Sequence, residues 1–456
     1  MKWHQWEPAV SDGAREGGKL AFGRYVNTVY RLEKAEVILS LDSDFLASGP
    51  GHLRYMKEFY RRRKLDQFVE ADRAGAEMNR LYVVEPTPSV TGSSADHRFP
   101  LRASEIEQFA HALAAKLGLG GGGTLGPAAQ KWLDGVAKDL QQHHSRSLVI
   151  AGEQQSAEVH ALAHAINAAL GSVDTTLYYT EPVEAGPVSH SQSLRELCAD
   201  MDAGKVNTLL ILGGNPVYDT PHDFDFTSKL RKVRTSVQLS PYFDETSEHC
   251  QWHVAESHFL ETWGDARAFD GTVSVIQPLI APLYSTHSAR EVLAAFSDKP
   301  GISNYDSVRD RLKASNPNGD FEKFWRKTLH DGVVANTAYP PLGAITPKFN
   351  PASLPAVKPA AAEELEFIFR PDPSVYDGRF ANNGWLQELP KPITKLTWDN
   401  AALVSPATAE KLGLTHSVAA RGGEHGQIIS NVIDIALSNS KVTAAATMVR
   451  RERRKE

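Results

Sequence analysis

Gly213-Gly214-Asn215-Pro216 closes an apolar run that starts at Thr208. Glycines at the end of a parallel strand let backbone N–H groups approach a nucleotide or pterin pyrophosphate, and an asparagine beside them can bond a base or ribose edge. The same residues also make a tight strand-to-helix turn with no ligand, because glycine takes positive φ freely and proline starts turns. Neither a G-x-G-x-x-G nor a Walker pattern spans this turn.

Glu85 follows a second strand signal, where an acid either holds ribose hydroxyls or is a solvated turn residue. Asp42-Ser43-Asp44 closes a third, and two carboxylates there repel a phosphate. His249, Cys250, His253 and His258 are of metal-ligand type. Alternate residues of a strand face opposite ways, so Cys250 and His253 are expected to diverge, and no metal site is assigned. His143-His144 reads as a helix-end feature and Cys198 as a packing residue. No Ser/His/Asp or Cys/His set is separable by spacing, so no catalytic residue is assigned.

These residues sit in alternating strands and helices. AEVILSL, LYVVEP, SLVIAGE, TLYYT, TLLIL and SVQLSP read as strands. Helices are expected over 52–72, 103–117, 156–170, 191–201 and 224–233. Continuous apolar strands alternating with helices predict parallel sheets covered on both faces. Asp270-Gly271 predicts a hairpin, and EELEFIFR another strand. The chain divides by this reading into a first α/β lobe (1–118), a flexible Gly-rich linker (119–127) and a second α/β lobe with the hairpin (128–338). A Pro-rich linker (339–362) and a C-terminal β-barrel-like region with an atypical tail (363–456) follow.

Two segments repeat. LYVVEPTPSVTGSSADHRFP (81–100) aligns without gaps on SVQLSPYFDETSEHCQWHVA (236–255), and ILSLDSDFLASGP (38–50) aligns on LLILGGNPVYDTP (209–221). Pro86 meets Pro241, Thr91 meets Thr246 and Asp44 meets Asn215. The same order in both halves predicts a duplicated βαβ unit with two equivalent strand-end crevices.

Composition sets outer bounds. Hydrophobic residues make up 41% and charged residues 23% of 456, enough for an ordinary core. A net charge of −6 argues against broad nucleic-acid binding. The basic end VRRERRKE reads as a charged terminus. Two cysteines are too few for an ordinary iron–sulfur cluster or a disulfide framework. No apolar run reaches ~18 residues. MKWHQWEPAV lacks an apolar signal core, so this chain alone is expected to stay cytoplasmic.

The order strand–GGNP, strand–SPYFDET, then LETWGDARAFDGTVSVIQPLIAP resembles the molybdopterin oxidoreductase family. That family reads G-x-N-P, then a strand with E-T-A-x-x-A-D, then E-x-x-G-T-x-x-N-x-x-G-R. WDNAALVSPATAEKLGL resembles the start of its C-terminal barrel. GRYVNTVYRLEKAEVILSLDSDFLASGPGHLRY and HFLETWGDARAFDGTVSVIQPLIAPLY resemble more closely the iron–sulfur subunit of bacterial alternative complex III, a quinol-oxidising respiratory complex. The likeness runs from about Gly13 to Leu414.

The resemblance implies an α/β fold of two duplicated parallel-sheet βαβ domains plus the start of a small C-terminal β domain. It implies a scaffold holding no molybdenum cofactor, with other subunits of a membrane complex as partners. Iron–sulfur clusters would belong to a ferredoxin-type domain that this sequence does not contain. Intact relatives are peripheral on the extracytoplasmic side of the bacterial inner membrane. The alternative is a fragment that binds molybdopterin guanine dinucleotide through Gly213–Pro216, Glu245 and Thr246. In that case Glu85, Asp42, Trp263, Gly264 and Asp265 would mark the rest of the crevices, Trp263 adding bulk near the second. An isolated nucleotide-binding module is the further alternative.

Overall fold

The computed structural model describes residues 1–64, 78–316, 319–343, 345–354 and 365–414, and within the tail 417–418, 428–429, 431–437 and 440–448. The chain forms two compact units, Met1–Ile368 and Phe369–Glu456. The strands of the larger unit are, in chain order, β1 (Asn27–Tyr30), β2 (Val37–Leu41), β3 (Arg80–Glu85), β4 (His97–Pro100), β5 (Ser147–Ala151) and β6 (Leu177–Thr180). Then come β7 (Thr208–Leu212), β8 (Thr235–Ser240), β9 (Trp252–Ala255), β10 (Gly264–Arg267), β11 (Val273–Ile276) and β12 (Val333–Val334).

The first sheet is parallel, in the order β4-β3-β2-β5. Every residue of β2 and β5 is buried, as parallel strands require. On one face Val37, Leu39, Leu41 and Val84 meet helices Ala103–Lys116, Pro127–Gln142 and Ala157–Ala169. On the other, Ile38, Leu81, Val83 and Leu148 meet helices Gly13–Phe22 and His52–Arg61. Of the helix expected over 52–72, residues 65–72 lie outside the described residues.

The second sheet is parallel too, in the order β7-β8-β9. Helices His190–Asp202 and Phe226–Leu230 pack on its Leu209 and Ile211 side. The duplication is therefore real: β2-β3-β4 and β7-β8-β9 share order, direction and register, with Leu41 opposite Val84 and Leu212 opposite Leu239. The predicted α/β fold with parallel sheets and a small C-terminal sheet is the observed one.

Three sequence expectations meet a different arrangement. β5, placed with the second lobe by sequence order, pairs with β2, so residues 119–127 join two helices of one core. Gly123 is close-packed there, since a Cβ on it would lie 2.5 Å from the Gln108 carbonyl oxygen, whereas one on Gly122 would meet nothing within 4 Å. The Pro-rich stretch packs down as well, Leu342, Ile345 and Phe349 touching the core while 355–362 lie outside the described residues. Residues 365–370 of EELEFIFR take no strand, having no neighbour to pair with among the described residues.

The hairpin forms from β10 and β11, with Gly271 at φ 93° where its backbone passes Tyr339. In the smaller unit β13 (Ala402–Val404) pairs with the hairpin strand Ser440–Met448, and Ser405 caps helix Pro406–Lys411. Among the described residues no helix is long and apolar enough to cross a membrane.

Candidate functional site

The duplicated unit builds the same hydrogen-bonded frame twice. Past each first strand the chain turns through a left-handed residue, Asp42 at φ 58° and Gly213 at φ 67°. Asp42 N–H donates to the Val84 carbonyl at 2.7 Å, and Gly213 N–H to the Leu239 carbonyl at 3.0 Å. Leu46 N–H meets Thr91 Oγ1 at 3.1 Å, and Val217 N–H meets Thr246 Oγ1 at 3.0 Å. Thr91 N–H reaches Asp44 Oδ1 at 2.8 Å, and Thr246 N–H reaches Asn215 Oδ1 at 3.2 Å. The two crevices are thus equivalent in backbone and differ in side chains.

The first crevice is closed by its own residues. Asp42 is buried and accepts from Gln155 Nε2 at 3.0 Å. Glu85 is 1% exposed, pairs with Arg98 and accepts from the hydroxyl and N–H of Ser89. It presses so closely on Gly92 that a Cβ there would lie 1.9 Å from Oε1. Glu85 is therefore an interior acid rather than a solvated turn residue. The sequence holds no local sign of this, since Arg98 is brought in by β4 across the β3·β4 pairing.

The second crevice is open. Gly213 and Gly214 are consecutive left-handed residues, and a Cβ on either would meet nothing within 4 Å. Asn215 clips the turn to helix Glu245–His249: its Nδ2 donates to Glu245 Oε2 at 2.7 Å, and its Oδ1 accepts from Thr246 Oγ1 at 2.7 Å. Pro216 opens the short helix Pro216–Asp219, and Asp219 accepts from the Asn215 N–H and from Trp6 Nε1. Asp244 caps the Thr246 and Ser247 N–H groups and accepts from Gln238. Tyr218, Tyr242 and Phe243 stand 56%, 65% and 69% exposed on the segments that leave β7 and β8. The polar side chains hydrogen-bonded around this turn are neutral or acidic.

The remaining candidates lie elsewhere. Trp263, expected beside the second crevice, packs 5.0 Å from the Tyr305 ring and 6.0 Å from the Trp325 ring, in the core formed with the hairpin. Gly264 begins β10. Asp265 is buried there between Arg290 and Arg311. These residues build the hairpin because aromatic burial and a paired acid hold it to helix Asn304–Ser315.

His253 Nε2 lies 3.1 Å from the Ser240 carbonyl, and Cys250 packs on the core that buries Cys198. No three His, Cys, Asp or Glu side chains converge as a metal site among the described residues. Burial pushes both thiols above the ordinary cysteine range, making them poor nucleophiles.

No protein-family model matches this sequence, and no curated protein matches it. Among solved structures the chain is similar to acetylene hydratase from Pelobacter acetylenicus, at 11% identity and a TM-score of 0.61, over 96% of this chain and 72% of that one. The formyltransferase/hydrolase complex of Methylorubrum extorquens is similar over 62% of this chain and 79% of that one, at 15% identity and a TM-score of 0.39, too low to argue from. At such identities the likeness speaks for the fold alone. Taken with the duplicated parallel sheets, it gives this chain a molybdopterin oxidoreductase-like fold.

Proposed function

We propose that the chain is a cofactor-free scaffold region of a quinol-linked respiratory electron-transfer complex, akin to the iron–sulfur subunit of alternative complex III. Its partners are then the other subunits and a ferredoxin-type domain, on the extracytoplasmic side of a bacterial inner membrane. One observation carries the scaffold reading: the side chains at both crevices are committed to each other. Asp42 is held by Gln155, Glu85 by Arg98 and Ser89, and Asn215 by Glu245 and Thr246.

A pterin dinucleotide is the alternative occupant. Its pyrophosphate needs N–H donors and cations. The first crevice offers the carboxylates of Asp42, Asp44 and Glu85, and the second surrounds its open glycines with Asp219, Asp244 and Glu245. These carboxylates support the cofactor-free reading. The residues instead brace each strand end onto the helix that follows it, which suits a rigid docking frame.

The test is metal analysis and pterin fluorescence on the purified chain, with calorimetric titration of GTP, GDP and NAD. Neither pterin nor molybdenum above trace, and no nucleotide heat, is expected. Stoichiometric pterin or molybdenum would sink the scaffold reading, and saturable nucleotide binding would assign a nucleotide module.

A further inference from the structure

The two copies differ in what covers their first strand. β2 has neighbours on both sides, β3 and β5, and is buried throughout. Among the described residues β7 has one neighbour, β8, and no residue of β7 is buried. In the first copy the Leu41 carbonyl accepts from Gly152 N–H at 2.9 Å, at the end of the β2·β5 ladder. Gly213 N–H bonds toward β8, so by strand alternation the backbone groups of Thr208, Leu210 and Leu212 face the unpaired side. The arm Lys2–Trp6 runs past helix His190–Asp202 through Asp200, Ser193 and Asp219, and forms no ladder with β7.

Edges that stay free in soluble proteins are guarded by charge, proline or bulges. Thr208-Leu209-Leu210-Ile211-Leu212 has no charge and no proline. Its counterpart β2 is paired on this same side by β5, a neighbour that β7 lacks among the described residues. From these two facts and the internal template we infer that the β7 edge is a docking site for a strand–helix element of another polypeptide. That element enters parallel to β7, as β5 and helix Ala157–Ala169 enter beside β2.

The template states the occupant's chemistry. It is an uncharged, β-branched-rich strand like Ser147–Ala151, in the register that sets Val37 opposite Ser147 and Leu41 opposite Ala151. A helix follows it with an apolar stripe like Val159, Leu162 and Ile166. Main-chain hydrogen bonds along the edge give affinity, and the strip of half-exposed leucines gives apolar burial. This docking site rests on the scaffold reading, since a frame in a multisubunit complex needs an edge for its neighbour.

The probe is a fluorescent, photo-crosslinkable peptide with the sequence of residues 147–170, titrated into the full chain by anisotropy. Saturable binding is expected, with crosslinks on Thr208–Gly214. Leu210→Pro removes an N–H that faces the open edge and leaves the β7·β8 bonds intact, so it should weaken binding at least about tenfold with unchanged circular dichroism. If that variant unfolds, Leu212→Lys places a guarding charge on the same strand and should have the same effect.

No saturable binding by the wild-type chain, equal binding by a folded edge variant, or crosslinks on Val37–Leu41 in place of β7 each overturns the proposal. So does a homodimer by light scattering that Leu210→Pro splits, which would give the edge to a second copy. A bound pterin would end the scaffold reading without altering the peptide result, so the two failures are separable.

Discussion

Acid should loosen the first core through two buried histidines on helix Ala157–Ala169. Gly13 and Gly17 let helix Gly13–Phe22 press on this helix: a Cβ on Gly17 would lie 2.4 Å from that of His160. His160 Nε2 is buried without a hydrogen-bond partner among the described residues, and burial lowers the ring's pKa to about 4. His164 packs 5.1 Å from the Phe22 ring and 5.4 Å from the Tyr179 ring, with Nδ1 3.0 Å from the Tyr179 hydroxyl. Burial, with His160 adding repulsion, lowers its pKa to about 3.

Both rings are neutral when folded and take a proton near pH 6.5 when unfolded, so the unfolded state binds more protons below that pH. Stability is therefore full above about pH 7 and falls as pH drops from about 6.5 through about 4 for His160 and about 3 for His164. At about pH 5 each ring costs about 2 kcal/mol, and the pair about 4, a large share of a typical total of about 5–15. Urea titrations at about pH 7.5 and pH 5, followed by circular dichroism, measure the difference. His164→Phe keeps the ring contacts and should remove about half of it. Its loss of the Tyr179 bond, about 1–3 kcal/mol, applies at both pH values and cancels. An unchanged pH difference in this variant would refute the argument that the ring is held neutral by burial.

Arg98→Ala leaves Glu85 buried without its cation, and a loss of about 3–5 kcal/mol in urea unfolding is expected. A loss below about 1 kcal/mol would mean that the acid reaches water when the cation is gone. Asn215→Ala cuts the clip to Glu245 and Thr246 at a half-exposed site, so about 1–2 kcal/mol should go, with faster amide exchange at Val217 and Thr246. Unchanged exchange there would show that the turn holds without its asparagine.

Much of this was legible in the chain. VILSL and TLLIL read as parallel strands because both are near-continuous apolar runs, although only VILSL is buried throughout. The repeat could be laid out residue by residue, and the pairs Asp44 with Asn215 and Thr91 with Thr246 occupy matching positions in the two frames. The hairpin at Asp270-Gly271 was visible because its chemistry is local.

What the sequence by itself determined was thus strand and helix periodicity, turn residues and the internal repeat. Only the tertiary structure decided that β5 crosses to β2, that Gln155 reaches Asp42 across 113 residues, and that Arg98 seals Glu85. It also decided that Trp263 belongs to the hairpin core and that β7 keeps an edge unpaired among the described residues. The physical reason is range. A turn or a cap is fixed by neighbours within a few residues, whereas the closure of a crevice depends on which distant segments the packed cores bring together.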